Sequence, residues 1–116
     1  MLNLGSECRI WLYRPACDMR RSFDGLSGLV RHELGADPTN GHWYVFVNKR
    51  RTLLKVLAFD AGGYWIWSKR LEQGRFAALG GRADGAIALT RTGLLALLEG
   101  TDIRVTRQRK RYRRAA

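Results

Sequence analysis

Between residues 43 and 76 the chain alternates between apolar and polar blocks: WYVFVN, KRRT, LLKVLAF, DAGG, YWIWS and KRLEQGRF. The three apolar runs, 43–48, 53–59 and 64–68, are rich in β-branched and aromatic residues, which suit a pleated, half-buried surface. The polar breaks at 49–52 and 60–63 are short enough for hairpin connections. The pattern predicts a three-stranded antiparallel meander. If Asn48 lies opposite Leu53 and Phe59 opposite Tyr64, period-two alternation sorts the side chains into two faces. One face carries Trp43, Val45, Val47, Leu54, Val56, Ala58, Trp65 and Trp67 and reads as a core. The other carries Tyr44, Phe46, Leu53, Lys55, Leu57, Phe59, Tyr64 and Ile66. It too is apolar, but it has Lys55 at its centre. A slip of one residue in either pairing would exchange the faces.

The flanking segments add helices. Residues 9–13 (RIWLY) read as a short strand at an edge of the meander, ended by Pro15, which cannot donate to a ladder. Residues 18–35 read as a turn leading into a helix. Phe23, Leu26, Leu29, Val30 and Leu34 recur at helical spacing. Ser22 stands as the N-cap, Asp24 lies near the positive helix end, and Gly35 is the stop. Gly25 and Gly28 each weaken the helix by roughly 1 kcal/mol relative to alanine, and they allow close packing on the sheet. Residues 36–42 (ADPTNGH) form a loop, 75–79 a last short strand, and 80–85 (GGRADG) another loop. Residues 89–100 predict a second helix, capped by Thr90 and stopped by Gly100. Its leucines 94, 95, 97 and 98 fill most of the helix girth, which asks for burial on more than one side. The expected fold is α+β: an antiparallel β-meander of three to five strands with two packed helices and a basic disordered C-terminal tail. The expected organisation is a loose N-terminus (1–7), a single α+β domain (8–103) and an arginine-rich tail (104–116).

Length and composition narrow the class. A chain of 116 residues with 46% hydrophobic content fits one globular domain. No apolar run approaches the roughly 20 residues of a transmembrane helix, and the N-terminus lacks the pattern of a secretory signal. The two cysteines, Cys8 and Cys17, have no zinc-ligand spacing. A reduced, cytoplasmic protein is expected.

Charge is the more informative property. Lys and Arg number 21 against 10 acids, for a net charge of +11, and the sequence pI is about 10.8. Arginine supplies 17 of the 21 cations, and arginine contacts phosphate and guanine edges in a bidentate way that lysine cannot. The balance points to a polyanionic partner, nucleic acid first, with an acidic protein surface or an anionic membrane behind it. No basic helix with a clean apolar face supports the membrane.

Several residues are candidates for holding that partner. Lys49, Arg50 and Arg51 occupy one end of the meander, and the third strand returns Lys69 and Arg70 beside them, with Arg75 at the margin. That cluster reads as a phosphate-binding rim, or as a solvated turn and a charge-defended sheet edge. Lys55 with Tyr44 and Tyr64 reads as a base-stacking face, unless the first helix covers it. Arg20 and Arg21 precede the first helix, where a phosphate would meet cations and free backbone N–H groups; alternatively Arg20 pairs with Asp18 or Asp24. In 104–114 (RVTRQRKRYRR) seven of eleven residues are basic, and without those seven charges the net of +11 falls to +4. Arg107, Arg109, Lys110, Arg111, Arg113 and Arg114, with Tyr112 for stacking, form either a nucleic-acid-binding arm that orders on binding or a solubilising tail.

Nothing in the chain reads as catalytic. There is no glycine-rich phosphate loop, no nucleophile–base order and no His or Cys cluster at metal spacing. His32 and His42 read as surface or packing residues. The acids near the motifs, Asp18, Asp24, Asp60 and Glu72, sit beside arginines in turns and caps. No enzyme activity, metal or cofactor is expected.

Taken in order, several motifs resemble a known family. They are DMRRSFDGL at 18–26, GH at 41–42, VFVNKRR at 45–51, LKVL at 54–57, KRLEQGRF at 69–76 and LLEG at 97–100. Over roughly residues 8–102 the chain resembles the TnpB accessory protein of insertion sequence sixty-six elements, the product of their second open reading frame. That protein is unrelated to the RNA-guided nuclease of the same label. The chain departs from the pattern at Phe59, where the family usually has Trp before the Asp, and at Ala77-Ala78, where it tends to Trp-Pro. The resemblance implies a bacterial mobile-element protein needed for transposition beside a separate transposase, with no catalytic residues to carry over. Its expected partners are DNA at the element ends or target, the cognate transposase and other element-encoded proteins. The function expected is a non-enzymatic DNA-binding accessory factor. The alternative is an adaptor that docks on the transposase through the leucines of 94–98 or the meander edge, without touching DNA.

Overall fold

The computed structural model describes residues 7–79 and 83–100. Among them the chain forms β1 (Ile10–Tyr13), α1 (Phe23–Glu33), β2 (Trp43–Val47), β3 (Leu53–Asp60), β4 (Gly63–Arg70), β5 (Ala86–Leu89) and α2 (Arg91–Glu99). All five strands share one sheet in the order β4-β3-β2-β1-β5.

The two hairpins form where the polar breaks place them. Asn48 N–H donates to Leu53 O at 3.0 Å, and the Asn48 side-chain oxygen accepts from the backbone N–H groups of Thr52 and Leu53. That side chain closes the turn. The second hairpin is tighter. Asp60 pairs with Gly63, leaving Ala61 and Gly62 at φ 50° and 84°. Two consecutive positive φ values mark a type I′ turn, whose twist matches that of the flanking strands. With Val45 opposite Val56 and Val56 opposite Trp67, the alternation of faces is the one the pattern predicts.

The rest of the sheet corrects the expected topology. β1 runs parallel to β2, with Ile10 opposite Trp43 and Leu12 opposite Val45. The sheet is therefore mixed, not purely antiparallel. The cause is α1, which carries the chain from the end of β1 back to the end where β1 began, as a parallel crossover requires. β1 is also not an edge strand, because β5 pairs antiparallel with it from Ile10–Leu89 to Tyr13–Ala86. β5 takes in residues 86–88, to which the sequence pattern assigned no element, and Leu89, expected to open the second helix, which instead begins at Arg91. The strand expected at 75–79 does not form. There Phe76 N–H donates to Arg51 O at 2.7 Å and its ring is fully buried.

Each face of the sheet carries one helix. Leu94 and Leu97 of α2, with Phe76, pack on Ile10, Leu12, Val45, Leu54 and Val56. Leu26 and Val30 of α1 pack on Tyr13, Tyr44, Phe46 and Leu57. Fully burying one such side chain is worth roughly 1.5–3 kcal/mol. Ser22 holds the N-cap position of α1 but makes no side-chain cap bond; its carbonyl accepts from Leu26 N–H. Thr90 does cap α2, accepting from Gly93 N–H at 2.9 Å. α2 is buried on one side only: Leu95 remains 63% exposed.

Candidate nucleic-acid interface

The basic residues gather where β1, β2 and β4 end and β3 and β5 begin. Lys49 and Arg50 stand exposed on the β2–β3 turn, and among the described residues no acid pairs with either. Arg51 is held differently. It adopts φ 59°, a left-handed conformation that costs a non-glycine residue roughly 1–2 kcal/mol. Its Nη1 donates to Phe76 O at 3.1 Å and its own carbonyl accepts from Phe76 N–H. These two bonds fix the guanidinium beside the segment that follows β4.

The neighbouring cations have structural partners. Lys69 projects from the same face as Leu54 and donates from Nζ to Leu98 O at 2.7 Å. It thus places a positive charge at the negative end of α2. Arg70 pairs with Glu72 at 3.3 Å in an exposed ion pair. Arg75 is exposed next to Phe76. Sequence reasoning missed Arg14, which leaves β1 at this end with its N–H bonded to Gly85 O. Finding it required knowing that β1 runs parallel to β2.

Between these segments lies a cleft of about 580 Å³ at the carboxyl ends of the parallel pair β1 and β2. Arg14, Lys49 and Arg51 supply its charge. Leu12, Pro15, Val47, Ala77 and Ala78 supply its apolar wall.

The other candidate groups are placed elsewhere. Lys55 donates from Nζ to Met19 O at 2.8 Å and Arg21 O at 2.9 Å, pinning the loop before α1 to the centre of the sheet. Tyr44 is 2% exposed beneath α1. Its hydroxyl accepts from Asn40 Nδ2 at 2.8 Å, and burial pushes the phenol pKa up. Tyr64 is half-buried and meets Phe59 edge-on. In this arrangement α1 covers the face on which Lys55 and the two tyrosines lie. Arg20 chelates Asp18, with Nη2–Oδ2 at 2.7 Å, and this guanidinium holds the carboxyl down at about 2. Arg21 is exposed. His42 Nδ1 accepts from Trp11 Nε1, and His32 is exposed. Cys17 is buried, which lifts its thiol to about 11. Among the described residues no group of His, Cys, Asp and Glu is arranged to hold a metal, and no helix is long and apolar enough to cross a membrane. Arg107, Arg109, Lys110, Arg111, Tyr112, Arg113 and Arg114 lie outside the described residues.

The family of IS66 Orf2-like proteins (TnpB_IS66) matches residues 8–108. The chain belongs to this family. Two relatives come from Sinorhizobium fredii (strain NBRC 101917 / NGR234). The uncharacterized protein y4hO is 36% identical over 104 residues, covering 90% of each chain. The uncharacterized protein y4jC is 35% identical over 102 residues, 88% of this chain and 86% of its own. No solved structure matches. As an IS66 Orf2-like protein, the chain is an accessory protein of an insertion sequence, and the resemblance read from its motifs is that family.

Proposed function

We propose that this accessory protein acts in transposition without catalysing it, by binding DNA through the basic end of its sheet. It works in the cytoplasm beside the element's transposase. The observation that carries the reading is the convergence of Arg14, Lys49, Arg50 and Arg51 on one end of the sheet, with Lys49 and Arg50 exposed and without acidic partners among the described residues. Lys49 and Arg50 would meet phosphates without breaking an ion pair seen among the described residues, and each phosphate neutralised releases condensed counterions. The arginine-rich residues of 104–114 add charge to the same chain.

Lys49→Glu/Arg50→Glu is the informative double variant, because neither side chain supports the fold. It is expected to weaken duplex binding at every sequence tested. It should also lower the salt slope by about 1.8, the loss of two phosphate contacts at roughly 0.9 each. Between 50 and 200 mM salt that is about a 12-fold smaller drop in affinity. Unchanged binding would remove the turn from the interface.

A second reading has its own observation. Leu95 is 63% and Trp67 44% exposed, and β4 is an edge strand. An adaptor docking on the transposase would use such a surface. Leu95→Glu would abolish transposase binding in that case and leave DNA binding intact.

A further inference from the structure

The cleft at the ends of β1 and β2 has a shape that a phosphate-binding rim alone does not need. Cations on the surface suffice to hold the backbone of a duplex. Here the segments that leave the sheet diverge. β1 continues through Arg14 and Pro15 towards α1 on one face, β2 turns at Asn48 towards β3, and Ala77 and Ala78 follow Phe76 on the opposite face. The opening between them, about 580 Å³, falls within the range of small-ligand pockets. It is too small for a duplex and large enough for one nucleotide. The carboxyl ends of parallel strands are where α/β sheets open such crevices.

The lining has two chemistries in one space. Lys49 and Arg51 bring positive charge to the opening, and Arg51 is already fixed by its bond to Phe76 O. Val47 and Ala78 line an apolar wall. A nucleotide needs that pairing: cations for the phosphate and an apolar or guanidinium surface for the face of the base. A base enters such a site only when it is not held in a duplex. We propose that the cleft seats one nucleotide of an unpaired DNA strand, its phosphate against the Lys49 and Arg51 cations and its base against the Val47 and Ala78 wall. This rests on the DNA-binding reading and gives it a strand preference.

The test separates the cleft from the rim. Ala16 and Ala78 line the cleft from two segments and are both exposed. Ala16→Leu, Ala78→Leu and the double variant fill the space without altering charge or offering a ring for stacking. Arg50 does not line the cleft, so Arg50→Glu perturbs the rim alone. The full-length chain and each variant are titrated with labelled dT12 and with a labelled 12-base-pair duplex, and folding is checked by thermal melts. Because the two alanines are independent, one that fails to fold leaves the other as the test. The leucine variants are expected to bind dT12 on the order of ten-fold more weakly, the loss of one base's burial against an apolar wall, with duplex affinity unchanged. Arg50→Glu should weaken both. Leucine variants that bind dT12 like the parent, or lose both DNAs equally, would overturn the cleft assignment and leave the rim standing. A parent chain that binds neither DNA would instead overturn the DNA-binding reading itself.

Discussion

Replacing Lys55 with methionine separates a structural lysine from a DNA contact. Lys55 Nζ makes two hydrogen bonds, to Met19 O at 2.8 Å and Arg21 O at 2.9 Å. Both carry the charge of the ammonium, and such bonds are worth roughly 1.5–3 kcal/mol each when buried. The bond to Arg21 O is exposed, where water replaces most of its value. Methionine keeps the unbranched stem and its packing, so the loss is confined to the ammonium. The expected cost is about 2 kcal/mol, and at 4–8 °C per kcal/mol for a domain of this size the melting temperature should fall by on the order of 10 °C. Thermal melts by circular dichroism report that shift. A DNA titration well below the melt should show unchanged affinity, because the ammonium points into the loop before α1. An unchanged melting temperature with weakened DNA binding would refute the reasoning and return Lys55 to the interface.

Further predictions concern the turns and the charges. Ala61 sits at φ 50° in a type I′ turn, so Ala61→Asn should stabilise the protein by about 1 kcal/mol; a lower melting temperature would contradict the turn geometry. Gly100→Ala should destabilise it by roughly 1–2 kcal/mol, because φ is 74° and an added Cβ would lie 2.7 Å from Leu71 Cδ1; a neutral outcome in a chemical melt would mean that this close approach is absent. Asp18 should titrate by NMR near 2. Its folded pKa is depressed, so its stabilising effect is present above the unfolded value and disappears as the pH falls through about 2. Arg20→Gln should move that midpoint up towards the ordinary carboxylate range, and a midpoint that stays put would rule out the Arg20 guanidinium as the cause.

The meander was legible because everything that defines it is local. The two hairpins, the alternation of Val45, Val47, Leu54 and Val56, and the turn residues lie within one stretch of sequence. The placement of β1 was not legible. Its parallel run beside β2 depends on where α1 packs, and its interior position depends on β5, whose sequence AIAL has only two large apolar residues. Missing that topology also hid Arg14 and the cleft it lines. The structural bonds of Lys55 and Lys69 were hidden for a related reason. Lys55 bonds a carbonyl 36 residues away and Lys69 one 29 residues away. A lysine aimed at a distant backbone oxygen looks, in sequence, like a lysine aimed at phosphate. The Asp18–Arg20 pair was legible because the partners are two residues apart. Arg51 combines both cases: its charge was visible, while its left-handed backbone and its hold on Phe76 were not.

The most direct test of the account is a duplex titration at 50 and 200 mM salt with two full-length proteins. One is the natural chain; in the other Arg107, Arg109, Lys110, Arg111, Arg113 and Arg114 are replaced by glutamine. If the basic end of the sheet holds the DNA, the glutamine variant still binds, and its remaining affinity falls steeply with salt and falls again with Lys49→Glu/Arg50→Glu. A variant that has lost all binding, or one whose binding ignores both salt and the Lys49 and Arg50 reversals, would contradict the claim that the folded sheet carries the DNA interface.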